Sequence, residues 1–228
     1  MISKFSTWLK AADGVRDRPS GHRFPDRGQY LRAMGHFWWV DHAWLRSFWW
    51  NLHEIAPGVW RSNQPSPRRL RRYREMGIRT VLNLRGNKRN SFHILEQSAC
   101  EKLGLKLVNL QLWARRLPPR AAVLELLDTF ATLERPFVMH CKSGADRAGL
   151  ASALYLMHME GVPVQQAQRQ LSLRYIHVRA FRTGILGHML DTYEAETKDE
   201  PMPIRAWIAQ RYDDRRLTAD FDRRRGRG

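Results

Sequence analysis

Apolar positions along the chain follow two rhythms. Residues 78–84 (IRTVLNL) are β-branched and apolar between Gly77 and Gly86, and they predict a buried strand. Residues 105–112 and 137–140 repeat that character, and residues 58–61 add a short fourth strand. Between these runs the period lengthens to three and four. Ser66-Pro67 opens a basic helix that Gly77 ends, residues 92–103 form a second closed by Gly104, and Pro118-Pro119 opens a third of strongly apolar content. Residues 148–159 are nearly without charge, which predicts a buried helix directly after the last strand, and two further helices are expected over residues 164–173 and 180–193. Strands alternating with helices predict an α/β fold, a central mostly parallel sheet flanked by helices.

The two ends differ from this body. Residues 1–32 look irregular and basic, and residues 33–52 turn helical with Phe37, Val40, Trp44 and Phe48 at helical spacing. That aromatic helix packs on the core or a second subunit, or else lies in a membrane interface; both readings stand open. The polar residues beyond 196 end in an arginine run and predict a solvated tail. The expected organisation is therefore a basic segment with a Trp-rich helix (1–53), a catalytic domain (54–195) and an Arg-rich tail (196–228).

Composition narrows the partners. With 39 Lys+Arg against 22 Asp+Glu, the net charge of +17 favours anions: phosphorylated small molecules, acidic lipid surfaces or nucleic acid. No apolar run reaches transmembrane length, and the charged N-terminal stretch lacks the apolar core of a secretory signal. Only two cysteines occur, Cys100 and Cys141, so the expected location is cytoplasmic, with peripheral association at the inner face of an anionic membrane as an added possibility. Nucleic acid is disfavoured as a partner, for lack of a basic platform interleaved with aromatics.

The chemistry concentrates in His140-Cys141-Lys142-Ser143-Gly144-Ala145-Asp146-Arg147-Ala148-Gly149, set between an apolar strand and a helix. Such a loop can turn its backbone N–H groups on one centre, and the following helix adds positive potential. Cysteines in such surroundings have pKa values lowered to roughly 3.5–7.5. Arg147 can grip two phosphate oxygens with its planar guanidinium, and Gly144 permits the tight turn.

The segment resembles the His-Cys-x5-Arg signature of the protein tyrosine and dual-specificity phosphatase superfamily, with the bacterial dual-specificity-like branch favoured by its position in the chain. The resemblance covers residues 54–193. It implies that Cys141 is the nucleophile of a phosphocysteine mechanism and that Arg147 clamps the phosphoryl oxygens. The backbone of Lys142, Ser143, Gly144, Ala145 and the two residues after them would stabilise the transition state, with His140 orienting the loop from behind. Neither metal nor cofactor is implied.

Two positions depart from the family pattern. Ala148 stands where many members carry Ser or Thr, and the loop that usually supplies an acidic aspartate is Trp113-Ala114-Arg115-Arg116-Leu117-Pro118. Asp146 is the nearest substitute, since some members, myotubularins included, also place an aspartate before the loop arginine. It either donates the proton or only braces Arg147 or caps the helix. Arg115 and Arg116 are candidate substrate contacts, and Arg61, Gln64 and Arg85 weaker ones near the rim; Arg174 and His177 are weaker still. Cys100 and Asp128 read as structural. The substrate implied is a phosphoprotein, with an acidic phospholipid, glycolipid or inositol phosphate as the alternative. An inactive phosphate-binding module is the rival of another class.

Overall fold

The computed structural model describes residues 27–39, 49–87 and 90–226. Its centre is a five-stranded sheet in the order β1-β2-β5-β3-β4, formed by β1 (His53–Ala56), β2 (Val59–Ser62), β3 (Thr80–Asn83), β4 (Lys106–Asn109) and β5 (Phe137–His140). Only β1 is antiparallel to its neighbour; the other three pairings are parallel.

Strand alternation explains why both faces are covered. On β3, Val81 packs with Leu70, Tyr73, Ile78 and Cys100, whereas Leu82 faces the larger cluster with Met139, Leu126 and Leu154. The first face is covered by α2 (Pro67–Glu75) and α3 (Ser91–Leu103). On the second lie α4 (Arg120–Thr132), α5 (Asp146–Met159) and α7 (Ile185–Glu196), with the short α6 (Val164–Ala167) beside them. Helix ends match their local chemistry. Ser66 accepts from the Arg69 amide with Pro67 in the first turn, and Gly104 closes α3 at φ 64°.

Three expectations change. The strand β1 is an addition to the expected four, because His-Glu-Ile-Ala carries little apolar signal; it forms by hairpin pairing across Gly58. The polar tail instead holds two helices, α8 (Ile204–Gln210) and α9 (Asp214–Arg225); Trp207 and Ile208 of the first, Tyr212 between them, and Leu217 and Phe221 of the second enter the main core. The apolar residues that this segment buries are few but large, and the Tyr212 hydroxyl donates to the Pro118 carbonyl at 2.7 Å. The aromatic helix also differs. Helix α1 (Arg27–Trp39) begins earlier than expected and packs on α3 through Ala33, Met34, Phe92 and Leu95, while residues 40–48 lie outside the described part. Trp49 and Trp50 are not helical, since their carbonyls accept from the Asn63 side chain and backbone and from Arg69. Among the described residues, no helix is long and apolar enough to cross a membrane.

Candidate active site

Strand β5 ends at His140, and the chain then turns through residues 141–145 into α5. Cys141 is buried at the strand end, and Asp146 and Arg147, both half-buried, occupy the first turn of a 14-residue helix. The helix therefore directs its free N–H groups and positive end at the loop. Arg147 Nε is buried and has no hydrogen-bond partner among the described residues.

The loop is held from several sides. Gly144 adopts φ 76°, and a Cβ there would stand 2.8 Å from Asn51 Nδ2, from the Asn63 amide nitrogen and from the Ser62 carbonyl carbon. Both the left-handed backbone and the close approach require glycine. Asn51 Nδ2 donates to the Ser143 carbonyl at 3.1 Å and to the Tyr175 carbonyl at 3.3 Å. The Gln64 amide donates to the Lys142 carbonyl at 3.2 Å, and the Ala145 amide donates to Ser143 Oγ at 3.3 Å.

Arg61, expected near the rim as a substrate contact, is instead completely buried. Its Nη2 donates to the Gly144 carbonyl at 2.5 Å and the Ala145 carbonyl at 3.2 Å, and its Nη1 to the Gln170 backbone and side chain at 2.8 and 2.7 Å. Burial pushes its pKa down to about 10, which leaves it charged at neutral pH, and the nearby Tyr175, Cys141 and Asp146 act in the opposite direction. The alternation of β2 turns this residue inward, and a buried guanidinium is retained there because it can serve carbonyls that would otherwise lack donors.

His140 lies behind the loop with its Nε2 2.7 Å from Glu96 Oε1, both side chains fully buried. Asp146 Oδ1 meets His177 Nδ1 at 2.8 Å. It does not cap the helix, whose N-cap is Ala145 with no side-chain bond. Arg115 and Arg116 are exposed on the 113–118 loop, where Arg116 stacks over Trp113 at 4.4 Å and the Arg115 carbonyl accepts from Arg182 at 3.3 Å. Arg85 reaches Gln64 Oε1 at 2.8 Å and lies 3.4 Å over the Phe92 ring.

Cys100 belongs to the apolar cluster on the other face of the sheet from the one that holds Cys141. Burial and then Glu96 push its pKa far up, so it remains an inert thiol. A cavity of about 340 Å³ lined by Met157, Val162, Tyr193 and Ile204 contains none of the loop residues and is not this site. Asn51, Glu96, Gln170 and Tyr175 were not singled out from the sequence, and no local signal marks them; each meets the loop or its supports from a distant part of the chain.

Comparison with known proteins identifies the family. Residues 49–184 match the model described as a DSP-PTPase phosphatase fused to NAD+ kinase. The chain belongs to this phosphatase family. Over 123 residues it is 28% identical to the dual specificity protein phosphatase TpbA of Pseudomonas aeruginosa, an alignment covering 53% of each protein. The chain thus spans about half the length of that relative. The crystal structure of TpbA superposes with a TM-score of 0.54 at 22% identity, covering 71% of this chain and 92% of that one. Tk-PTP in its active form gives 0.50 at 18% identity, covering 63% and 98%. These phosphatases share the fold described above.

Proposed function

We propose that this member of the dual-specificity phosphatase family hydrolyses phosphate monoesters through a phosphocysteine formed on Cys141. The observation that carries this reading is the run of β5 into a loop braced from several sides, with Cys141 at its start and Arg147 in the first turn of α5. The Cys141 thiolate attacks phosphorus as the P–O bond to the alcohol breaks, and the alcohol oxygen departs with a proton. Water then attacks phosphorus, and the thiolate leaves with inorganic phosphate released. Arg147 and the loop amides stabilise the charge on the equatorial oxygens in both steps. Asp146 is the proton donor, because residues 113–118 carry no carboxylate while Asp146 opens α5 directly after the loop and keeps part of its carboxyl exposed.

The test is phosphate release from phosphopeptides, phospholipids and inositol phosphates. Cys141→Ser should abolish turnover while still binding phosphate, and Arg147→Lys should lose most activity. Turnover by the Cys141→Ser protein would overturn the reading.

Phosphoprotein is the substrate class supported by the name of TpbA and by a TpbA crystal structure with phosphotyrosine. A second reading, an acidic phospholipid or glycolipid at an anionic membrane, is supported by a different observation. Leu173, Ile176 and Phe181 are 74%, 56% and 64% exposed. They sit on a segment tied to the phosphate loop through His177 and Asn51, and to the 113–118 loop through Arg182. Apolar side chains interspersed with Arg174 and Arg182 suit an anionic lipid surface. Sedimentation with anionic but not neutral vesicles, lost when the three apolar residues are replaced by serine, would favour lipid over protein; no sedimentation would leave phosphoprotein as the class.

A further inference from the structure

The Asp146–His177 contact joins a carboxyl 20% exposed at the start of α5 to an imidazole with no exposed side-chain surface. His177 Nδ1 faces Asp146 Oδ1 at 2.8 Å, while its Nε2 is buried and has no partner among the described residues. This asymmetry decides the tautomer. A proton on Nε2 would be an unsatisfied buried donor, at a cost of about 1–3 kcal/mol. A proton on Nδ1 is used at once by Asp146. His177 is therefore held as the Nδ1–H form and donates to Oδ1.

The consequence falls on the other carboxyl oxygen. With Oδ1 occupied as an acceptor, a proton delivered through Asp146 travels on Oδ2. It is kept out of an internal bond to the ring. The backbone also favours this arrangement. Ile176 stands at φ 62°, a left-handed conformation rare for a β-branched residue, and this turn leaves its own side chain exposed while His177 is buried. The His177 amide is anchored on the Ser172 carbonyl at 3.1 Å, and Asn51 secures the Tyr175 carbonyl at 3.3 Å.

We propose that His177 is a positioning residue for the leaving-group proton: it holds Asp146 by Oδ1 so that Oδ2 presents its proton to the departing oxygen. In the first step that proton moves from Oδ2 to the alcohol oxygen as the P–O bond breaks. The Asp146 carboxylate then accepts a proton back from the attacking water. The inference rests on the cysteine-phosphatase reading and on Asp146 as its proton donor.

The experiment compares kcat for p-nitrophenyl phosphate, whose leaving group needs little protonation, with kcat for glycerol phosphate, whose alkoxide needs much. General acids contribute about 10²–10⁴-fold. His177→Ala should therefore lower kcat at least about tenfold more on the alkyl substrate than on the aryl one. His177→Asn places an amide N–H where Nδ1 stands and should restore most of the difference, whereas His177→Gln places it where Nε2 stands and should not. This pair carries the comparison if His177→Ala fails to fold, as thermal unfolding will show. In an Asp146→Asn background, His177→Ala should add no further selectivity.

Equal losses on both substrates, or rescue by Gln in place of Asn, would overturn the assignment. Rapid-quench mass spectrometry of Cys141 separates the two levels of failure. Wild-type protein that forms no phosphocysteine from p-nitrophenyl phosphate overturns the phosphatase reading and His177's role with it. Phosphocysteine formation with unchanged leaving-group selectivity in the variants overturns His177 alone.

Discussion

Arg61 lies over the ring of Tyr175, its guanidinium carbon 3.9 Å from the ring centroid, and from that position it donates to two carbonyls of the loop after β5. His53 meets the same ring edge-on, with centroids 5.0 Å apart. Arg61 and His53 thus converge on one aromatic side chain. Arg61→Lys keeps the charge but cannot reach Gly144, Ala145 and Gln170 together. Each carbonyl left without a donor costs about 1–3 kcal/mol. The variant should be destabilised by that order in urea melts and should bind vanadate more weakly, because the loop loses its rear support.

Gly144→Ala tests the loop from within. A left-handed backbone costs a residue with a Cβ about 1–2 kcal/mol, and the added carbon would also press on backbone atoms of residues 62 and 63. Activity should fall sharply, and titration calorimetry should show vanadate affinity falling with it. Wild-type affinity in this variant would mean that the loop can open without consequence.

Ile176→Asn should act in the opposite direction on stability. Asparagine tolerates φ 62° far better than isoleucine, and the side chain removed is more than half exposed. A gain of about 1 kcal/mol is expected in urea melts.

Acid should weaken the fold through three histidines. His53, His158 and His188 all have pKa values lowered from 6.5, in each case chiefly by burial. Next in order come Arg174 for His53, Arg205 for His158 and Arg224 for His188. Below 6.5 the unfolded chain takes up protons that the folded chain resists. Their contribution is therefore fully present above 6.5 and is lost as pH falls through the lowered folded values. Melting temperatures measured from pH 7.5 down to 5.5 should decline, and His188→Gln should flatten the decline.

What the sequence made legible was local. Residues 137–149 announce strand, loop and helix in one continuous stretch, and Gly144 and Gly104 mark turns that the backbone adopts. Val81 and Leu82 show the alternation that commits β3 to two covered faces. Long-range chemistry left no such mark. Asp146 and His177 are 31 positions apart, and nothing in either neighbourhood announces the pair. Arg61 misled through its charge, which suggests a surface, whereas the inward pleat of β2 and the donors required by Gly144 and Ala145 place it inside. Trp207 and Tyr212 misled through their polar company, because two large rings secure a segment that average hydropathy reads as solvent-facing.

Asn51 carries a consequence for any attempt to shorten this protein. It stands two residues before the first strand, at φ 46°, and serves as a crossbar between the Ser143 and Tyr175 carbonyls. A version trimmed to start at His53 would retain every strand, Cys141 and Arg147, yet would lack that crossbar and the Trp49 and Trp50 carbonyls that anchor Asn63 and Arg69. It could fold well and still hold phosphate poorly. The family match begins at residue 49, so the shared module starts upstream of its own sheet, and the smallest working unit has to include those few residues.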